Sequence, residues 1–311
     1  KIIRDVVCFD DELWVGTQSG VYVINESKNK VSHIYNDPMC PYSLSDNQIG
    51  SIYRDRENGI WIGTNLGGVN YYPQRGIEFI RHIPLSRPYT ISSKRVREFA
   101  EDEDGNIWVG TEDAGVNIYD PQTGAFKKIG RDVGSKSVCD KTLALLSDKN
   151  HIWIGSFKNG LDIVDRKNFS VRHYSGEQLG LNEASIYALC EDHKGKIWIG
   201  NAWGVYVGDK KTMNFTRLPQ FGLSYIFDII EDSDGYIWVA TMGNGVYKYN
   251  PEDGKIKRYV HHEGNETSLS SNSVSNIKET SSGEIWFSTD RGGICRYNKT
   301  EDNFTTFSEK Q

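Results

Sequence analysis

The sequence predicts an all-β chain folded as a seven-bladed β-propeller of four-stranded antiparallel blades. Three observations lead there. A phrase centred on one tryptophan recurs seven times at intervals of 40 to 48 residues, close to the period of a four-stranded blade. Helical periodicity is weak throughout, with no amphipathic stretch of a dozen residues. The 12% aromatic content and 31 glycines among 311 residues belong to short strands and tight turns.

The copies read "DELWVGTQSGVYVI", "NGIWIGTNLGGVNYY", "GNIWVGTEDAGVNIY", "NHIWIGSFKNGLDIV", "GKIWIGNAWGVYVG", "GYIWVATMGNGVYKY" and "GEIWFSTDRGGICRY". In each unit an apolar first strand such as "VREFAED" runs into a turn holding Asp, Gly or Asn. The alternating "IWVGT" strand follows, then a loop ending in Gly, a "GVNIYD" strand and an outer strand such as "NFTTF". One such sheet leaves both faces wet; radial stacking covers them. The frame opens on a first strand at 2–9 and closes on a fourth at 303–307, so residues 1–311 read as one propeller. Its blades lie near 1–36, 48–84, 94–130, 139–175, 184–219, 224–262 and 272–308.

Trp14, Trp61, Trp108, Trp153, Trp198, Trp238 and Trp286 are expected to form the blade cores. Burying a Trp removes about 150–250 Å² from water, at most roughly 4–6 kcal/mol per blade. The repeated glycines serve tight turns and close strand approach.

A net charge of -6 gives no basic field for nucleic acid and disfavours anionic membrane surfaces. No run approaches the roughly 18 apolar residues of a membrane span. "KIIRDVVCFD" carries no signal peptide; a mature secreted protein or an excised domain would start the same way. The five cysteines are widely spaced, and Cys8, Cys190 and Cys295 fall in apolar strand patterns as small buried hydrophobes. With no CxxC pair or His/Cys cluster, no metal or other cofactor is expected.

The pattern in "AEDEDGNIWVGTEDAGVNIYDP" and "EDSDGYIWVATMGNGVYKYNP", completed by the linkers "YSLSDNQI" (42–49) and "TSLSSNSV" (267–274), resembles the two-component regulator propeller repeats of hybrid two-component sensors. Those sensors occur in gut bacteria that forage on complex polysaccharides. The resemblance runs the whole chain, with local departures at Ser156, Asn201 and Ala240. It implies a periplasmic location and one propeller of a sensor that also holds a second propeller and an immunoglobulin-like domain. A membrane span, histidine kinase, receiver and DNA-binding module would follow in such a parent. It implies glycan or oligosaccharide ligands, without a transferable ligand motif. The neighbouring domains, or a second copy in a homodimer, are the implied protein partners.

Catalytic signatures are weak. Asp55, Asp102, Asp148, Asp192 and Asp232 end first strands in copy after copy, which favours hydrogen bonding in the hairpin turn. A sialidase-type Asp box is not formed, since Glu103 and Ser233 stand where its Asp belongs. His261 and His262 are adjacent on a strand end and point to opposite faces.

The loops between second and third strands vary most, as a rigid scaffold with a variable site would show. Trp203 lies in this set, where other copies carry small or polar residues. Its flat face and N–H suit a sugar ring; plugging the channel mouth or covering a shortened loop is the alternative. The other candidates are Asn65, Glu112, Asp113, Phe157, Lys158, Asn201, Asp290 and Arg291, with Arg87, Tyr89 and Arg95 from the link before the third blade. At one aligned first-strand position stand Ser51, Glu98, Ala144, Ala188, Asp228 and Asn276, so Glu98 and Asp228 are expected to bring negative charge to the inner strands.

The leading reading is a non-catalytic ligand-sensing propeller of a periplasmic glycan sensor. Two alternatives stay open: a protein-interaction or dimerisation platform of the same sensor, and a polysaccharide lyase or glycoside hydrolase.

Overall fold

Each copy of the tryptophan phrase forms the second strand of an antiparallel sheet. The computed structural model describes residues 2–308 apart from 10, 11, 26, 41, 57, 58, 73–81, 86–88, 131, 135 and 137. Its alternation of apolar and small residues buries both sheet faces. In "IWVAT" every residue from Ile237 to Thr241 is buried, as a strand sandwiched between neighbouring blades requires. The chain divides into two compact units, residues 1–88 and 89–311.

The first unit holds two blades. Blade 1 is β1 (Ile3–Phe9), β2 (Glu12–Thr17), β3 (Gly20–Asn25) and β4 (Lys30–Ile34). Blade 2 is β5 (Ile49–Arg54), β6 (Ile60–Thr64) and β7 (Val69–Tyr72). The outer strand expected next falls largely on 73–81, outside the described residues.

The second unit holds five four-stranded blades. Blade 3 is β8 (Val96–Glu101), β9 (Ile107–Thr111), β10 (Val116–Asp120) and β11 (Ala125–Lys128). Blade 4 is β12 (Thr142–Ser147), β13 (His151–Ser156), β14 (Leu161–Asp165) and β15 (Val171–Tyr174). Blade 5 is β16 (Ala188–Glu191), β17 (Lys196–Asn201), β18 (Gly204–Asp209) and β19 (Asn214–Arg217). Blade 6 is β20 (Ile226–Glu231), β21 (Ile237–Thr241), β22 (Val246–Tyr249) and β23 (Ile256–Tyr259). Blade 7 is β24 (Val274–Glu279), β25 (Ile285–Thr289), β26 (Gly293–Asn298) and β27 (Asn303–Phe307). Strands pair in chain order in every sheet. The architecture is the all-β, seven-bladed propeller class that the repeats predict.

Five of the core tryptophans are covered by the blade that follows them. Trp14 lies 5.4 Å from Tyr72, Trp108 6.4 Å from Phe169, Trp198 5.9 Å from Tyr249 and Trp238 5.4 Å from Phe287, centroid to centroid. Trp153 joins Ile197, Ile199 and Tyr206 of blade 5 in one apolar cluster. The expectation of seven core tryptophans is corrected at two of them. Trp61 is 41% exposed and Trp286 is only partly buried. Cys190 and Cys295 are buried as expected, but Cys8 is exposed. It shares a strand face with Val6, 49% exposed, opposite Val7, which packs on the Trp14 cluster.

The inner strands share a bulge. Register shifts fall just before Asp5, Ser51, Glu98, Ala144, Asp228 and Asn276, which re-aims the side chain that follows. Asp5 therefore belongs with the aligned first-strand positions, although the sequence alignment omits it. Gly245 has φ 74°, and a Cβ there would collide with the Tyr259 carbonyl oxygen. Among the described residues no helix is long and apolar enough to cross a membrane.

Candidate functional site

The recurrent acids are occupied by the fold. Asp192 Oδ1 accepts the backbone N–H groups of Lys194 and Lys196, and Oδ2 accepts the Trp198 indole N–H at 2.9 Å. Asp55, Asp102, Asp148 and Asp232 take the indoles of Trp61, Trp108, Trp153 and Trp238 at 2.7 to 2.9 Å. Burial works against the charged form of Asp102 and Asp148. The indole and backbone donors, with Arg166 beside Asp102 and Lys210 beside Asp148, outweigh it and hold both carboxyls below the usual range. These acids tie the first hairpin turn to the tryptophan that the next blade covers.

The loop carrying Trp203 is rigid. Asn201 is fully buried; its Oδ1 accepts the Trp203 backbone N–H at 2.8 Å and its Nδ2 donates to the Glu183 carbonyl at 3.2 Å. Asn201 therefore supports the loop from beneath. The Trp203 carbonyl accepts from Arg217 Nε at 2.9 Å, and Arg217 Nη2 donates to the Gly222 carbonyl at 2.7 Å. With both ends held, the Trp203 side chain stands 45% exposed.

Sequence reasoning missed Arg217, although the signal was there. His33, Arg217 and Arg258 pair across their sheets with Tyr22, Tyr206 and Tyr247, and each bonds a carbonyl of its own blade's variable loop. A basic residue at one register of the outer strand thus holds the loop in three blades.

The remaining candidates form separate groups. The half-exposed Phe157 ring has Lys158 Nζ 5.2 Å and Lys141 Nζ 5.4 Å from its centroid, a cation–π arrangement. The Lys158 N–H donates to Ser185 Oγ. Glu112, Asp113 and Arg95 are exposed, with the Glu112 N–H on the Arg95 carbonyl. Asn65 reaches Gln48. Tyr89 is 62% exposed at φ 65°, and Arg87 lies outside the described residues. Asp290 and Arg291 sit 3.8 Å apart with the Arg291 side chain 93% exposed.

Arg291, among these candidates, lines a large concavity. A groove of about 960 Å³ runs along blade 7, between the link at 261–270, the turn at 291–293 and β27. His261, His262, Glu266, Ser270, Thr305 and Thr306 line it with Arg291, over the buried Phe304. His261 Nδ1 bonds the Leu269 carbonyl at 2.6 Å. Glu98 and Asp228, as their register predicts, line one smaller cavity on the inner strands. Among the described residues no three His, Cys, Asp or Glu side chains are grouped as a metal site.

Five stretches, residues 43–66, 90–113, 180–203, 220–243 and 268–291, match the two component regulator propeller family. Each runs from the link between blades through the tryptophan strand into the variable loop. Five of the seven repeats carry the two-component regulator propeller pattern.

No curated protein sequence matches this regulator propeller. Among solved structures it is similar to the extracellular domain of the putative hybrid two component system BT3049 from B. thetaiotaomicron, at 23% identity and TM-score 0.61. That match covers 97% of this chain and 39% of the other. The extracellular domain of the putative hybrid two component system BT4673 from the same organism gives 20% identity and TM-score 0.60, covering 98% and 48%. A streptogramin B lyase gives 13% identity and TM-score 0.51, covering 94% and 92%. At such identities the likeness is one of fold. The regulator propeller spans less than half the length of the two sensor structures.

Proposed function

We propose that this regulator propeller is a non-catalytic, ligand-sensing part of a hybrid two-component sensor, facing the periplasm, and that its ligand is an oligosaccharide. The groove beside Arg291 carries the reading. At about 960 Å³ it lies at the upper end of small-ligand sites. Its hydroxyls, imidazoles, one carboxylate and one guanidinium over an apolar floor are the groups that bind a polyol. Among the described residues Glu266 is its single lining carboxylate, where glycoside hydrolysis generally uses a pair, and the recurrent turn acids are engaged by tryptophans. The family match and the sensor domains of similar fold support the placement in a sensor. Binding would act by unequal affinity for two arrangements of the propeller and its neighbours. Hydrogen exchange with a bound oligosaccharide tests the site: the amides of 262–270 and 291–293 slow, whereas protection confined elsewhere contradicts it.

A second reading rests on Trp203. Arg217 bonds the carbonyls of both Trp203 and Gly222, which brings Trp203 beside Leu223, 66% exposed, while Met242 of blade 6 is 58% exposed. These apolar side chains suit a protein contact with a neighbouring propeller, an immunoglobulin-like domain or a second copy. Light scattering of wild type and Trp203→Ala with and without those domains separates the readings.

A further inference from the structure

The position after the inner-strand bulge is acidic in three blades, and the three acids are used differently. Asp5 accepts its neighbour Val6 N–H through Oδ1 and the Ile52 N–H of blade 2 through Oδ2 at 2.7 Å. Asp228 repeats this on Ile229 and on Ile277 of blade 7, both at 2.8 Å. These two latch one blade to the next. Glu98 is a methylene longer and has no such role. Its Oε1 takes only the adjacent Phe99 N–H at 3.1 Å, and its Oε2 has no hydrogen-bond partner among the described residues. Arg97, beside it, makes no hydrogen bond or ion pair among the described residues.

Both line a cavity of about 350 Å³ on the inner strands of blades 3 to 7, with Tyr187, Phe227, Asp228 and Asn276. The Tyr225 ring packs at a tilt between the two aromatic walls, 4.4 Å from Tyr187 and 5.3 Å from Phe227, centroid to centroid. Among the described residues, a guanidinium with no hydrogen bond and a carboxylate with one oxygen free, adjacent in sequence, attracted to each other and open to one space, are complementary to a ligand carrying both charges. The volume suits a molecule of free amino-acid size. Burial pushes the Glu98 carboxyl up; burial pushes Asp228 to about 6, with the Glu98 charge adding to it. A cation placed between the two acids relieves that repulsion.

We propose that this cavity binds a small zwitterion of the α-amino acid type. Its ammonium sits at Glu98 and Asp228, its carboxylate at the Arg97 guanidinium, and its side chain against Tyr187 and Phe227. The site is separate from the groove, and neither depends on the other.

The test is calorimetric titration of the full chain with each free proteinogenic amino acid. For the tightest binder, the des-amino acid, the decarboxylated amine and a neutral hexose follow as controls. Expected is binding by at least one amino acid, weakened about tenfold or more on losing either charged group, as charge-assisted hydrogen bonds imply. Glu98→Gln and Arg97→Gln, neither of which touches the latches, should each weaken it similarly without lowering the thermal midpoint. Binding by no amino acid, binding unchanged in both variants, or equal binding of the amine alone would overturn the proposal.

Discussion

Trp198 and Trp203 stand at opposite ends of one hairpin with opposite surroundings: Trp198 is 2% exposed with its indole N–H on Asp192, and Trp203 is 45% exposed on a loop held at both ends. Trp198→Ala is expected to cost about 3–5 kcal/mol, as large-to-small core changes do. Trp203→Ala should stay within about 0.5 kcal/mol of wild type, as surface changes away from caps and networks do. Urea unfolding followed by circular dichroism compares the two; similar losses would show that Trp203 serves packing.

Asp192→Ala removes the acceptor of one indole and two backbone N–H groups. Leaving such donors unpaired costs about 1–3 kcal/mol. Asp192→Asn keeps one carbonyl oxygen and should recover part of the loss. A thermal midpoint for Asp192→Ala equal to wild type would remove the turn acids from the stability of the blades.

Stability should depend on pH in two opposed ways. Asp228 titrates near 6 in the folded chain because burial disfavours its charge. The native state therefore binds the proton more tightly than the unfolded chain, and stability rises as pH falls from about 7 to about 4. The gain is at most about 3 kcal/mol. Asp302 is opposed by burial but held down to about 2 by Lys257 and by the Tyr259 and Tyr297 hydroxyls. Its contribution is present above about 4 and fades as pH falls towards 2. Thermal midpoints across this range, for wild type and Asp228→Asn, should show the upper limb flattened in the variant alone.

Arg217→Ala should loosen the Trp203 loop at a cost of about 1 kcal/mol, small because the bonds are exposed. Faster amide exchange at Gly204 and Val205, with blade-core amides unchanged, is the expected readout. Unchanged exchange there would mean that Asn201 alone fixes the loop.

Much of the fold was readable because its determinants are local and repeated. The tryptophan spacing set the blades, and alternation in "IWVGT" set the strands. The Asp that precedes five of the indoles by five or six residues announced the turn, though not that its second oxygen holds the ring. Burial depends on packed neighbours rather than on the motif alone, so Trp61, Trp286 and Cys8 were misread as buried. The inner strands were aligned on the turn acid, and Phe9 stands at that position in the first blade, which hid Asp5 among the inner-strand acids. The groove was illegible because it joins 261–270, 291–293 and 304–308 through tertiary packing, and of its lining only Arg291 stood out by its place in a variable loop.

The account turns on an oligosaccharide in the groove of blade 7. The most direct measurement is calorimetric titration of a panel of neutral, uronate-containing and sulfated oligosaccharides into wild type, Arg291→Ala and His262→Ala. The account predicts saturable binding of at least one oligosaccharide by wild type, weakened about tenfold by either substitution with the thermal midpoint unchanged. Binding equal in all three proteins, or by none of them, would contradict it.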